Sequence, residues 1–205
     1  MLMNNFFDHI YCINLDKRTD RWEDCVKQFN KHNLSVERFS AIDGVNIENT
    51  TNLKPGELGL LRTHISIIND AKKNNYKNIL ILEDDVEFMG NLNEIFDSVK
   101  NQIPNDWVML YLGGNHVGGC LQISENIFKI FHSYAIHSFA IKSELFDLII
   151  NGLPNYKKPV DVFYAELHSL FPSYVIRPHL SWQRESFSDI QGGITNYDFL
   201  KDIKL

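Results

Sequence analysis

Two kinds of apolar pattern alternate along the chain. Segments 9–15, 36–41, 79–82, 107–112, 128–131, 134–141 and 174–176 are short runs rich in β-branched and aromatic residues, which predicts strands. Between them, 21–32, 55–74, 92–103, 143–150 and 160–170 read as helices. The clearest is 55–74. Leu58, Leu61, Ile65 and Ile68 recur at three- and four-residue spacing and form one core-facing stripe. Pro55 suits a first turn, and Glu57 suits the positive end of the helix dipole. The alternation implies an α/β fold, a sheet with helical crossovers. At 205 residues the chain is long enough for one domain with a substantial core. The Asn-rich stretch 44–53 has no periodicity and predicts a mobile loop, and the polar tail after Trp182 is expected to wrap over a site.

The strand at Ile79, Leu80, Ile81 and Leu82 is apolar on both faces, as expected of a central strand covered on both sides. It runs directly into Glu83, Asp84 and Asp85. Adjacent carboxylates at the end of a buried strand repel one another and resist dehydration. They are tolerable around a cation or where water reaches them. Strand alternation points Glu83 and Asp85 one way and Asp84 the other, a D-x-D-like pair whose oxygens suit Mg²⁺ or Mn²⁺. Ligands of open α/β sheets bind beyond the carboxyl ends of strands, where this triplet falls. A magnesium-like ion takes one or two protein carboxylates and completes its shell with water and phosphate, which points to a nucleotide diphosphate. The bland alternative is a solvated strand-to-loop transition or a set of helix caps.

Composition narrows the partners. The net charge is −6, with scattered Lys and Arg and no block of like charge, so a nucleic-acid binder is not expected. The acidic balance is only a weak pointer to a basic acceptor such as a lysine-rich peptide. Three widely spaced cysteines lack metal-ligand spacing and fit free thiols in a reducing compartment. No signal-peptide pattern opens the chain, and no apolar run approaches the roughly 18 residues of a membrane span. The expectation is a cytoplasmic protein, or a catalytic domain whose targeting lies elsewhere.

An ordered series of motifs then sharpens the picture. Ile13-Asn14-Leu15-Asp16-Lys17-Arg18-Thr19-Asp20-Arg21-Trp22 is like an INL-x-x-R-x-D-R opening, and Ala41-Ile42-Asp43-Gly44 is like A-x-D-G. Residues 56–64, from Gly56-Glu57 to His64, are like G-E-x-G-C-x-x-S-H, with Leu60 and Thr63 at the Cys and Ser positions. Residues 81–86 are like ILEDDV, Pro159-Val160-Asp161 like P-V-D, and Ser188-Asp189-Ile190 like a terminal S-D-I. Together, over nearly the whole chain, they resemble glycosyltransferase family 25, which includes lipooligosaccharide and collagen hydroxylysine galactosyltransferases. The resemblance implies a GT-A-type, Rossmann-like mixed sheet and a UDP-galactose or UDP-glucose donor. It also implies Mn²⁺ (or Mg²⁺) dependence, inversion at the anomeric carbon, and a glycan or hydroxylysine-type peptide as acceptor.

On that footing Asp85 is the expected metal ligand, with Glu83 near the ribose or bridging through water and Asp84 in support. His179, next to Pro178, is a candidate metal ligand or diphosphate contact, because such folds often recruit a C-terminal histidine; the alternative is an ordinary loop histidine. Arg18 and Arg21 are placed where a guanidinium stacks on uracil or pairs with phosphate; the alternative is surface pairing with Asp16, Asp20, Glu23 or Asp24. Asn14 reads a uracil edge or merely satisfies a strand end, and Asp43 touches the uridine or only makes a turn. His64 either packs in the core or orients the triplet. Asp161 is the expected general base, with Glu166 and Asp189 as competitors. Trp182 and Tyr164 stack on a sugar or pack in the core. Rival readings are a metal-dependent nucleotidyltransferase or phosphohydrolase, for which no P-loop is present, and a catalytically inactive sugar-nucleotide-binding domain.

Overall fold

The computed structural model describes residues 3–190, 192–198 and 201. In chain order the strands are β1 His9–Asn14, β2 Glu37–Ser40, β3 Asn78–Glu83, β4 Val86–Phe88, β5 Met109–Tyr111, β6 Asn115–His116 and β7 Cys120–Gln122. They continue as β8 Ile127–Ile130, β9 Ser133–Tyr134, β10 Ser138–Lys142, β11 Ser173–Ile176, β12 Ser181–Gln183, β13 Ser186–Ser188 and β14 Gly193–Thr195. The helices are α1 Thr19–Lys31, α2 Pro55–Lys73, α3 Leu92–Val99, α4 Phe146–Gly152 and α5 Val160–Leu167.

Eight strands form one mixed sheet in the order β2-β1-β3-β10-β5-β11-β8-β7. Parallel pairing joins β2, β1 and β3, so their carboxyl ends, at Ser40, Asn14 and Glu83, open on the same edge. β10 runs antiparallel to both β3 and β5. Period-two alternation explains the helices on both faces. Tyr11, Ile13, Ile79 and Ile81 pack into one core with α2, α4 and α5, while Ile10, Cys12, Leu80 and Leu82 pack into a second with α1 and α3. The predicted stripe on α2 faces the first core, with Leu58, Leu61 and Ile68 buried and Ile65 packed against it. The mixed, helix-flanked sheet is the expected fold.

Several boundaries differ. Residues 134–141 are not one strand. Ala135 adopts φ 60°, in the left-handed region, where the chain leaves the small β6–β9 pair for β10 of the main sheet. Helix 92–103 ends at Val99 and tightens into a 3₁₀ turn at Lys100–Gln102, and helix 160–170 stops at Leu167. The tail is not plain coil, for β13 and β14 pair as a ribbon.

Glycines fix one contact that matters for the site. A Cβ on Gly44 would fall 1.7 Å from the Pro55 carbonyl oxygen, and one on Gly59 would fall 2.3 Å from that of Ile42. The loop after β2 therefore lies directly on the first turns of α2. Only glycine at both positions permits that approach.

Candidate functional site

The loops after β1, β2 and β3 enclose a cavity of about 840 Å³ together with the amino ends of α2 and α5, the 134–136 bend and the tail. Its ionisable lining is acidic: Asp43, Glu57, Glu83, Asp84, Asp85, Asp161 and Asp189, against Lys17, Arg21 and Lys54. In a low-dielectric cleft such an excess favours a cation among the carboxylates.

The triplet sits where strand alternation carries it, up to a point. Asp84 follows Leu80 and Leu82 to the α1 side, where the Arg21 guanidinium donates to Oδ1, Asn14 Nδ2 donates to Oδ2 at 2.7 Å, and Cys25 Sγ donates to the Asp84 carbonyl at 3.2 Å. Alternation then fails. Asp85 lies in the turn between β3 and β4, and its Oδ2 meets Arg21 Nη2 at 3.4 Å, so Asp84 and Asp85 share one guanidinium. Asp85 Oδ1 is buried and has no hydrogen-bond partner among the described residues. Burial raises the Asp85 carboxyl above its ordinary range, although Arg21 opposes the shift. Glu83 is raised further by burial, then by the charges of Asp85 and Asp84, and its nearest donor is Gln183 Nε2 at 3.4 Å.

The other expected residues divide into three groups. Arg21, Asp43, the triplet and Asp161 all line the cavity. Asp43 caps the following 3₁₀ turn through Val45 N at 3.2 Å and pairs with Lys17 at 2.7 Å, so turn and site roles coincide. Asp161 begins α5, accepting from Val162 N at 2.8 Å, yet burial still raises its carboxyl. Asp189 lines the cavity while bound to Arg18 at 2.6 Å.

Asn14 and Arg18 stand one layer behind. Asn14 is fully buried between Asp84, the Arg18 carbonyl and Arg38 Nε, so its amide holds the triplet in place. Arg18 ties Asp20 on α1 to Asp189 in the tail, and these two carboxylates raise its guanidinium further.

The last group is elsewhere. His179 is not part of the cavity wall; its Nε2 lies 3.0 Å from His116 Nε2. His64 Nδ1 meets Tyr164 Oη at 3.1 Å in the core, which disposes of both as contacts to triplet or sugar. Glu166 is exposed and pairs with Lys158 at 2.8 Å, which removes it as a competitor of Asp161. Trp182 lies on β12, outside the lining, with Lys201 Nζ 5.3 Å over its ring.

Sequence reasoning missed Lys17, Tyr134, Ala135, Gln183 and Tyr197, all on the wall. Burial raises the Tyr197 phenol, and the charges of Asp85 and Glu83 raise it further, so the tail residue faces the triplet. Arg21 also donates to Ser186 Oγ at 2.5 Å, binding the ribbon to the same guanidinium that holds the carboxylates. The polar tail thus covers the site, as its composition led us to expect.

Among the described residues no three His, Cys, Asp or Glu side chains are grouped so as to hold a metal by themselves. The donor set nevertheless suits a hard ion shared with a ligand: Asp85 offers an unpartnered buried oxygen, and an ion of this kind needs only one or two protein carboxylates. No helix among the described residues is long and apolar enough to cross a membrane.

Comparison with known proteins agrees with this architecture. The chain is 24% identical over 200 residues to human procollagen galactosyltransferase 2, covering 81% of this chain and 31% of that protein. It is 31% identical over 99 residues to a glycosyltransferase 25 family member of Anopheles gambiae, covering 39% of this chain and 17% of the other. It therefore spans under a third of the length of these curated relatives. The crystal structure of A197 from STIV shares the fold at a TM-score of 0.51 and 10% identity, over 92% of this chain and 94% of that one. Residues 7–147, which hold β1 to β3, the triplet and the 134–136 bend, match the model of glycosyltransferase family 25 (LPS biosynthesis protein), and the chain belongs to that family.

Proposed function

We propose that this glycosyltransferase moves a hexose from UDP-galactose or UDP-glucose to an acceptor hydroxyl, with inversion and with Mn²⁺ or Mg²⁺ as cofactor. The carrying observation is Asp85 Oδ1, a buried carboxylate oxygen without a partner among the described residues, in the same cavity as Asp161. Asp85, assisted by Glu83, would hold the ion. When bound, it would neutralise charge developing on the leaving diphosphate. His179 is not included, because it pairs with His116 outside the lining.

The chain's own groups supply the remainder. Lys17 and Lys54 on the wall supply positive charge for the donor's phosphates, Arg21 stays with the carboxylates, and the loop at Asp43 and Gly44, seated on α2, forms the floor beside them. Asp161 takes the proton of the acceptor hydroxyl as that oxygen attacks C1, and the C1–O bond to the diphosphate breaks with its electron pair on UDP. The raised Asp161 carboxyl is a better base than an exposed aspartate, and its rate dependence should fall on the acid side above the ordinary carboxylate range.

Thermal shift with UDP-galactose, UDP-glucose and other nucleotide sugars, each with Mn²⁺ or with EDTA, tests the reading. Stabilisation by UDP-sugars that EDTA removes is expected, and Asp85→Ala should lose it together with at least about 100-fold of turnover. Full turnover by Asp85→Ala would end the assignment of Asp85.

A further inference from the structure

Donor and catalytic residues account for only part of the cavity. At about 840 Å³ it lies toward the upper end of the roughly 300–1,000 Å³ usual for ligand sites, which leaves room for a second substrate. Among the described residues the basic side chains of the lining, Lys17, Arg21 and Lys54, come from the loop after β1, from α1 and from just before α2. The wall formed by Asn115, Tyr134, Ala135 and Ile136 has none.

Three observations mark this wall as built for a ligand. Tyr134 is only half-buried, and its hydroxyl lies 2.8 Å from His132 Nε2 with the two rings at 85°, so the phenol ring is held in one orientation. Ala135 takes a left-handed conformation that a residue with a Cβ seldom adopts, and such backbone strain concentrates at ligand contacts. Two residues on, the His137 carbonyl accepts the Glu83 amide at 2.9 Å, so the bend is bolted to the triplet. The bend packs on α5, whose first turn carries Asp161.

We infer that this wall is the acceptor half of the site and that its occupant is a carbohydrate. Tyr134 is the platform for the apolar face of a pyranose ring, and Asn115 and Asp161 bond the ring's hydroxyls. An immobilised aromatic face beside an amide and a carboxylate matches the mixed apolar and hydroxyl surface of a sugar. The assignment rests on the transferase reading above, so its test measures sugar binding independently of turnover.

Saturation-transfer NMR uses the intact chain with Mg²⁺, UDP and one of methyl β-galactoside, lactose or a hydroxylysine-bearing peptide. Sugar protons should be saturated by the wild type and by Tyr134→Phe, which keeps the ring. Tyr134→Ala and Tyr134→Leu should weaken sugar binding about tenfold, while UDP signals persist in all four proteins. In turnover the same two variants should raise the acceptor KM about tenfold and leave the donor KM within about twofold. Sugar signals unchanged in both Ala and Leu variants would overturn the proposal. So would no sugar saturation by the wild type, or saturation only of a hydroxylysine-bearing peptide. Ring-dependent sugar binding without any UDP signal would instead defeat the donor reading and leave the wall as assigned.

Discussion

The molecule buries ionisable groups in two places and treats them in opposite ways. At the triplet, Asp84 and Asp85 share the Arg21 guanidinium, Asn14 holds Asp84, and Glu83 lies beside Gln183, an arrangement that keeps carboxylates in a buried place for a ligand. Elsewhere, burial drives His64, His116, His137 and His168 down to about 3, so these imidazoles are neutral at physiological pH. His168 illustrates how neutrality is put to use. Its Nδ1 accepts from Ser133 N at 3.1 Å, which leaves Nε2 to donate to Tyr111 Oη at 3.0 Å. The histidines serve as uncharged pegs, whereas the carboxylates retain an unsatisfied demand. Function is to be sought at the second kind of site.

The sharpest way to break this contrast is to remove the guanidinium. Arg21→Ala leaves Asp84 and Asp85 buried and uncompensated and detaches Ser186, and should cost about 3–5 kcal/mol in urea unfolding. A loss under about 1 kcal/mol would mean that the triplet is solvated after all.

A smaller effect is expected at the pegs. The unfolded chain protonates His168 near its ordinary value of about 6.5 while the folded chain does not until about 3, so this stability is full above 6.5 and is lost as pH falls through that window. His168→Gln should cost about 1–3 kcal/mol at pH 7.5, from the broken bonds to Ser133 and Tyr111, and the deficit should shrink at pH 4.5. An unchanged deficit would show that this imidazole is charged in the fold.

The smallest change has the opposite sign. The Glu83 carboxyl is raised in the fold, so its contribution is full at low pH and lost as pH climbs through the raised value. Glu83→Gln should stabilise the protein by about 1 kcal/mol at neutral pH, with a gain in Tm that grows between pH 5 and pH 8. A gain independent of pH would point to packing instead of charge.

How much of this was readable in the chain follows from the range of the forces involved. The α2 stripe, the doubly buried β3 and the position of the triplet are set by spacing within a dozen residues, and they are where periodicity puts them. The bend at Ala135 was invisible, since alanine carries no mark of a left-handed backbone and only the passage from β9 to β10 imposes it. Asp85 left the alternation because β4 turns away to pair with β12, nearly a hundred residues on. Gln183 and Tyr197 reach the wall from a tail with no pattern of its own. Asn14 and Arg18 carried the right motif, but their long-range partners place them behind the wall.

The mutual seating of Gly44 and Gly59 has a practical corollary for protein engineers. Between those anchor points the stretch 47–54 is pinned in its turn, with Asn49 bonded to Thr51 and to the Leu53 carbonyl and Leu53 buried in the first core. Extra residues spliced in after Asn49 would separate it from Thr51 and Leu53, and a single methyl group added at either glycine would pry the floor of the cavity from its helix.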